Sequence, residues 1–210
     1  MTQVVNTAEW AGEDSTELDL DVPENSTEED DKLREYWAKK ERRRSSFLKD
    51  FVGDSLGLKE NQRILMHLTK FGESTVLFSD VVMKVNRRGR LQERWLMITE
   101  GGVYNIEPGS LKIRRRIAIG NISHISVSLL SDNFLVIHVP QEYDYLYASG
   151  RKTEIVAALR LSYSEAIGEE LSLTMQNVID YHIDKFQQRR LVFQRGEEGV
   201  FTKMYAKRTK

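Results

Sequence analysis

The chain has 210 residues, of which 40% are hydrophobic, 30% are charged and none is cysteine. This composition suffices for one folded domain with a core, and it excludes a disulfide framework, a thiol nucleophile and a thiolate metal site. The net charge of −1 conceals a segregation, because residues 1–31 hold eleven of the 32 acids and none of the 31 cations. The remaining chain therefore carries 31 cations against 21 acids, which indicates an anionic partner such as a membrane, a nucleic acid or an acidic protein.

Residues 1–26 form an acidic segment that is rich in Ser, Thr, Glu and Asp and is predicted to be disordered. This tail is either a passive solvated segment or a mask that folds back over the basic part of the chain. The N-terminus lacks the basic start and apolar run of a secretory signal, and no stretch approaches the ~18 apolar residues of a membrane span. We therefore expect any membrane contact to be peripheral.

Residues 27–60 are predicted to contain a basic helix and the segment that leads into the next domain. Ser26 and Glu29 have the spacing of a capping box, so a helix is expected to start there. Acids lie early in this helix and cations, including Arg42, Arg43 and Arg44, lie late, an order that suits the helix dipole.

Residues 61–195 show short apolar runs separated by turn residues, a pattern typical of a β-sandwich or barrel. Strands are expected near residues 64–69, 75–85, 93–99, 102–107, 112–117, 122–127, 134–139 and 143–148. The spacing then changes to that of a helix at residues 153–161. Two further strands are expected at residues 171–178 and 190–193, and residues 196–210 are expected to be a mobile basic tail.

One predicted hairpin, at residues 82–99, stands out by its charge. Asn86 and Gly89 are turn residues, and Gly can adopt the positive φ that a tight turn requires. Five cations lie within a dozen residues, against the single acid Glu93, and a hairpin cannot bury them without partners. They must face water, a carboxylate surface or an anion, and the planar guanidinium of Arg suits phosphate. These cations are Lys84, Arg87, Arg88, Arg90 and Arg94.

The segment Lys84-Val85-Asn86-Arg87-Arg88-Gly89-Arg90, with Arg94 and the apolar residues 96–99, resembles the tail-homology-1 domain of class I myosins. Residues 42–47 and 50–58 are similar to the sequence at the start of that domain, and residues 149–156 are similar to the start of its late helix. The resemblance covers roughly residues 40–200. It implies a mostly β, pleckstrin-homology-like barrel of seven strands closed by a helix, here with an extra N-terminal helix and C-terminal strands.

The resemblance also implies how the hairpin is used. The family binds anionic phospholipids through its first hairpin, and its phosphoinositide signature, a Lys ending the first strand and an Arg on the second, falls on Lys84 and Arg94. The other cations of the hairpin would widen the headgroup site. A secondary basic surface is expected from Lys112, Arg114, Arg116, Arg42, Arg43 and Arg44, although Arg114 and Arg116 could equally be paired with carboxylates on a solvated face.

Other functions are weaker alternatives. The four His residues (His67, His124, His138 and His182) are scattered and lack metal-ligand spacing, so we expect no metal, no cofactor and no catalytic site. Single-stranded nucleic acid could follow the basic hairpin and stack on Tyr104, Tyr143, Tyr145 and Tyr147. A third alternative is a protein-interaction domain that binds neither lipid nor nucleic acid.

The sequence thus favours a non-enzymatic, peripheral membrane-binding module, cytoplasmic and located at the inner face of the plasma membrane or at other membranes. Class I myosins carry a motor and a calmodulin-binding neck, and neither is present in these 210 residues. We therefore expect an adaptor between anionic membrane and the actin cytoskeleton rather than a motor, and the link to actin rests on the family resemblance.

Overall fold

The computed structural model describes residues 53–197 and 199–207. The predictions for the acidic tail, for the capping-box helix with Arg42, Arg43 and Arg44, and for residues 208–210 lie outside this range. Within it the chain forms an eight-stranded sheet, a three-stranded sheet and two α-helices.

The first sheet contains eight strands. They are β1 (Val76–Val85), β2 (Leu91–Thr99), β3 (Gly102–Ile106), β4 (Ile113–Ala118), β5 (His124–Val127), β6 (Phe134–His138), β7 (Tyr145–Ala148) and β8 (Ser172–Met175). Their order across the sheet is β4-β3-β2-β1-β7-β6-β5-β8. Every neighbouring pair is antiparallel except β5 and β8, which are parallel. Short 3-10 helices occupy Leu58–Glu60 and Ile119–Asn121.

The predicted mostly β class is confirmed, and strands β1–β7 occur where seven of the predicted strands were expected. The closed seven-stranded barrel is not observed. Strand β5 pairs with β6 along one edge and accepts β8 in parallel along the other, so the sheet has eight strands and ends at β4 and β8. The sheet is therefore open.

The strand predicted at residues 64–69 is wrong, because this segment is helix α1 (Gln62–Thr69). The Asn61 carboxamide oxygen accepts hydrogen bonds from the backbone N–H groups of Arg63 (3.1 Å) and Ile64 (3.3 Å), which caps the first turn. Ile64 and Leu68 are four residues apart, so they share one helix face and are fully buried. A short apolar run does not by itself distinguish a strand from a helix.

The predicted late helix is confirmed and is longer than expected. Helix α2 (Lys152–Ile167) ends at Gly168, whose φ of 81° is accessible to glycine at little cost. Ile155 and Leu159 are fully buried against one face of the first sheet, which we call the inner face. The opposite, outer face is covered in part by α1 and in part by the second sheet. Neither described helix is long and apolar enough to cross a bilayer.

The second sheet contains β9 (Val178–His182), β10 (Gln188–Gly196) and β11 (Gly199–Lys207), with β10 in the centre. The single strand predicted at residues 171–178 is divided between β8 and the start of β9. The mobile tail predicted from residue 196 is also wrong, because residues 199–207 pair along the whole of β10. Leu191 and Phe193 attach this sheet to Phe134 and Leu146 of the first sheet, in a second apolar core.

Candidate lipid-binding site

The turn between β1 and β2 has the conformation that its residues predict. The Asn86 side-chain oxygen accepts hydrogen bonds from the backbone N–H groups of Arg88 (2.8 Å) and Arg90 (3.0 Å). Gly89 has a φ of 84°. These features hold the turn in one conformation, so its arginines project from a defined position.

Lys84 and Arg94 lie on the same face of the hairpin. Lys84 is opposite Gln92 and Arg94 is opposite Val82, and directly opposed residues of an antiparallel pair point to the same side. Val82 is buried in the core beneath α2, so this side is the inner face. The structure therefore places Lys84 and Arg94, the two residues that the family signature would require, on adjacent strands near the β1–β2 turn.

Lys84 is half-buried against aromatic rings. Its ammonium nitrogen lies 4.8 Å from the ring centroid of Tyr145 and 5.7 Å from that of Tyr143, distances that allow cation–π attraction. Burial lowers the pKa of Lys84; Tyr143 opposes this effect, and the positive charges of Arg94 and Arg87 add to it. No carboxylate forms an ion pair with Lys84 among the described residues. An anion bound here would relieve the cost of burying its charge.

The other hairpin cations are mostly exposed. The guanidinium carbon of Arg87 lies 4.4 Å from the centroid of the Tyr143 ring. Arg94 donates to the Glu93 carbonyl oxygen (2.7 Å) and to the Gln92 side chain (3.2 Å), neither of which carries a charge. Arg88 and Arg90 are exposed at the turn. A shallow, open depression is lined by Asn86, Arg87, Arg88 and Gln92.

The arginines of β4 are paired with acids, which favours the alternative that Arg114 and Arg116 form ion pairs with carboxylates and do not belong to a secondary basic surface. Arg114 forms an ion pair with Glu107 at 2.6 Å. Arg116 forms one with Glu73, which is almost completely buried. Of the six residues expected to form the secondary surface, Lys112 is exposed, and the three N-terminal arginines (Arg42, Arg43 and Arg44) lie outside the described residues. The structure thus separates the hairpin cations from the neutralised cations of β4.

A residue that the sequence analysis missed supports the hairpin from below. Arg189 of β10 donates a hydrogen bond to the backbone carbonyl oxygen of Arg87 at 2.7 Å. A Cβ atom at Gly89 would lie 3.1 Å from the Arg189 guanidinium and 3.3 Å from the Met204 methyl group, so the turn packs closely on the second sheet. No local pattern could reveal this contact, because Arg87 and Arg189 are 102 residues apart.

Comparison with known proteins identifies the family of the chain. A family model described as "Unconventional myosin tail, actin- and lipid-binding" matches residues 42–210. The chain belongs to the unconventional myosin tail family. The resemblance to the class I myosin tail is confirmed by this match together with the myosin heavy chains that the chain resembles.

The relatives of this tail domain are much longer proteins. It is 33% identical over 169 residues to "Myosin heavy chain IB" of Acanthamoeba castellanii, covering 77% of this chain and 15% of that protein. It is 32% identical over 169 residues to "Myosin IB heavy chain" of Dictyostelium discoideum, covering 76% of this chain and 15% of that protein. The chain therefore spans about 15% of the length of these heavy chains. Among solved structures it is similar to the hSac2 domain from human phosphoinositide phosphatase Sac2, with a TM-score of 0.41, 13% identity, and coverage of 65% of this chain and 92% of that chain.

Three histidines of the tail domain converge, contrary to the expectation that all four are scattered. The rings of His124 and His138 stack at 3.9 Å. His138 contacts Asp144 through Nδ1 (3.0 Å) and Ser126 through Nε2 (2.9 Å), and His182 Nδ1 lies 3.5 Å from Asp144. The Ser–His–Asp connectivity resembles that of a nucleophilic triad, but Ser126 is only 2% exposed. Ser126, His138 and Asp144 therefore form a hydrogen-bond network in the interior, with His182 at its exposed edge.

The aromatic residues proposed to stack on bases are largely inaccessible. Tyr104, Tyr145 and Tyr147 are each 0% exposed, and Tyr147 donates its hydroxyl to Asn105 inside the core. The alternation that places Tyr145 and Tyr147 on one face of β7 therefore serves the core. This observation weighs against the nucleic-acid alternative, because base stacking requires an exposed ring.

Proposed function

We propose that this tail domain is a non-enzymatic module that binds anionic phospholipid surfaces through the basic β1–β2 hairpin. The observation that carries the proposal is the group of Lys84, Arg87, Arg88 and Arg94, which form no ion pair with a carboxylate among the described residues. The match to a lipid-binding tail family supports the same partner. An adaptor role between the membrane and actin follows from the family's description as actin- and lipid-binding.

The strength of such binding can be estimated. A Lys or Arg near an anionic bilayer surface contributes roughly 1 kcal/mol. Four such residues would contribute about 4 kcal/mol, which corresponds to a roughly thousandfold increase in partitioning. Binding of this kind is weak for any single lipid and decreases strongly with salt, because mobile ions screen exposed charges.

The pair Lys84 and Arg94 would add headgroup selectivity. Both side chains lie on the inner face at the end of the hairpin, where a pleckstrin-homology-like fold is expected to hold a phosphoinositide headgroup. Arg can bind one phosphate through two parallel hydrogen bonds, while Lys supplies a compact charge. We therefore infer a preference for multiply phosphorylated headgroups, and for the inner face of the plasma membrane, where such lipids would be met from the cytoplasm.

Vesicle sedimentation tests the proposal. Binding to phosphatidylcholine vesicles should increase with added phosphatidylserine and decrease with added salt. Single-stranded DNA at the same salt serves as the rival ligand. Tighter binding to DNA than to anionic vesicles would favour the nucleic-acid function, and binding to neither would favour a protein-interaction domain.

A charge-matched pair of variants tests the headgroup site. Lys84→Ala with Arg94→Ala should abolish the preference for phosphoinositide over phosphatidylserine at equal lipid charge. Lys112→Ala with Arg114→Ala removes the same residue types from β4 and its preceding turn and should leave the preference unchanged. An unchanged preference in the first variant would remove Lys84 and Arg94 from the site.

A further inference from the structure

The turn between β9 and β10 presents an exposed aromatic side chain at its apex. Phe186 is 84% exposed, the highest value among the large hydrophobic residues described. The turn is held in shape because the Asp184 carboxylate accepts hydrogen bonds from the backbone N–H groups of Phe186 and Gln187, both at 2.8 Å. The Ile183 N–H also donates to the Gln187 carbonyl at 3.0 Å. Lys185, beside Phe186, is exposed as well.

This apex lies at the same end of the molecule as the basic hairpin. Arg189, three residues after Phe186, donates a hydrogen bond to the Arg87 carbonyl in the β1–β2 turn. At the end of β9, His182 exchanges hydrogen bonds with Asp144 in the loop between β6 and β7. The neighbouring Tyr143 of that loop contacts Lys84 and Arg87. Three turns therefore meet at one end of the fold, and the β9–β10 turn is one of them.

The chemistry of this end matches the surface of an anionic bilayer. Cations of the β1–β2 turn, together with Lys185, would meet phosphate groups, while an exposed aromatic ring beside them would be poorly matched to water. In amphipathic helices that lie on a membrane, side chains of this type are buried about 5–10 Å into the boundary between headgroups and acyl chains.

We propose that the β9–β10 turn is a second membrane contact, in which Phe186 inserts into the interfacial region of the bilayer while the β1–β2 hairpin binds the headgroups. This inference rests on the proposed lipid-binding function and adds an apolar component to it. The apolar component is insensitive to salt, whereas the contribution of the arginines is not. The two turns can therefore be separated by experiment.

The chain contains no cysteine, so one introduced cysteine can be labelled selectively. Phe186→Cys labelled with the fluorophore NBD should show a blue shift and increased emission when vesicles of phosphatidylcholine and phosphatidylserine are added. Phe71→Cys is the matched control: Phe71 is 54% exposed and precedes β1, whose ten residues span about 30 Å before the basic turn. The emission of this label should not change.

Affinity gives the second measurement. Phe186→Ala should bind the same vesicles about tenfold more weakly, by the same factor at low and at high salt, and Phe186→Leu should retain most of the affinity. Phe71→Ala should bind like the unmodified protein. These surface changes lie outside the apolar cores, so folding can be checked independently by circular dichroism.

The outcomes separate the two proposals. If the unmodified protein does not bind anionic vesicles, the proposed lipid-binding function fails. If it binds, but Phe186→Ala binds equally well and the label at position 186 remains in a water-like environment, only the insertion of Phe186 is overturned. A label that changes emission with protein concentration in the absence of vesicles would indicate contact with a second copy of the chain and would also overturn it.

Discussion

Asp144 connects the loop between β6 and β7 to the second sheet, and its removal should destabilise the domain strongly. The side chain is almost completely buried. Its carboxylate accepts hydrogen bonds from the backbone N–H groups of Val139 (3.0 Å) and His182 (2.8 Å), and contacts His138 Nδ1 at 3.0 Å. One buried carboxylate thus accepts hydrogen bonds from two segments of the chain, the end of β6 and the end of β9.

Asp144→Ala should lower the free energy of unfolding by roughly 3–5 kcal/mol, the range for removing one partner from a buried charged network. The remaining donors would be buried without acceptors. Asp144→Asn keeps the shape and one acceptor oxygen, so about half of this loss is expected. Asp180→Asn is the control, because Asp180 is a partly exposed partner of the exposed Arg190 and its replacement should cost less than about 1 kcal/mol.

The dependence on pH gives an independent check. Burial tends to raise the pKa of Asp144, but hydrogen bonds from His138 and from the backbone of His182 and Val139 hold this pKa below its ordinary value. A carboxyl group with a depressed folded-state pKa contributes stability above its unfolded pKa of about 4, and loses it as the pH falls through the folded-state pKa. The advantage of the unmodified protein over Asp144→Asn should therefore shrink in acid.

Urea unfolding followed by circular dichroism, at about pH 7 and about pH 3, measures both effects. The reasoning is refuted if Asp144→Ala costs no more than Asp180→Asn at neutral pH. It is also refuted if the difference between the unmodified protein and Asp144→Asn is as large in acid as at neutrality.

Two further predictions concern stability and are measured in the same way. Arg116→Met should lower the free energy of unfolding by roughly 3 kcal/mol, because it leaves the nearly buried Glu73 carboxylate without its cation. Arg114→Met removes an exposed pair with Glu107 and should cost less than about 1 kcal/mol. Equal losses would contradict the assignment of these pairs. Burial lowers the pKa of His124, and the nearby His138 adds to this effect. The unfolded state therefore binds more protons than the folded state, so the free energy of unfolding should fall as the pH decreases from about 7 to about 5. His124→Gln should show a smaller loss over this interval, and an identical loss would exclude His124 as the titrating group.

The alternation of apolar residues between turn signals was sufficient to predict β1–β7, because these strands bury one or both faces. The buried run Leu96–Ile98 and the turn residues Asn86 and Gly89 behave as the sequence predicts. Helix α1 was mistaken for a strand because the apolar run at residues 64–69 is short. The Asn61 cap and the four-residue spacing of Ile64 and Leu68 were the available signals for a helix.

Strand β11 was missed because its charges obscured an alternating pattern. Val200 and Thr202 are buried, while Lys203 faces solvent. A few lysines near the end of the sequence are therefore a weak indication of a mobile tail when β-branched and apolar residues remain between them.

The candidate site was predictable in its local part only. The hairpin, its turn and its cations follow from neighbouring residues. The pairing of Arg116 with Glu73, 43 residues away, and the contact of Arg189 with Arg87, 102 residues away, depend on how the sheets are assembled. A sequence shows which cations exist, but the tertiary pairing decides which of them are neutralised by acids.

The most direct test of the lipid-binding account compares two variants that lose the same charge at different places. Arg87→Gln with Arg88→Gln removes two cations from the β1–β2 turn, and Arg114→Gln with Arg190→Gln removes two that are paired with acids. At moderate salt, the first variant should bind anionic vesicles roughly thirtyfold more weakly, from about 1 kcal/mol for each residue. The second should bind within about threefold of the unmodified protein, since each removed cation was already paired. Equal losses in the two variants would mean that overall charge, and not the hairpin, determines binding.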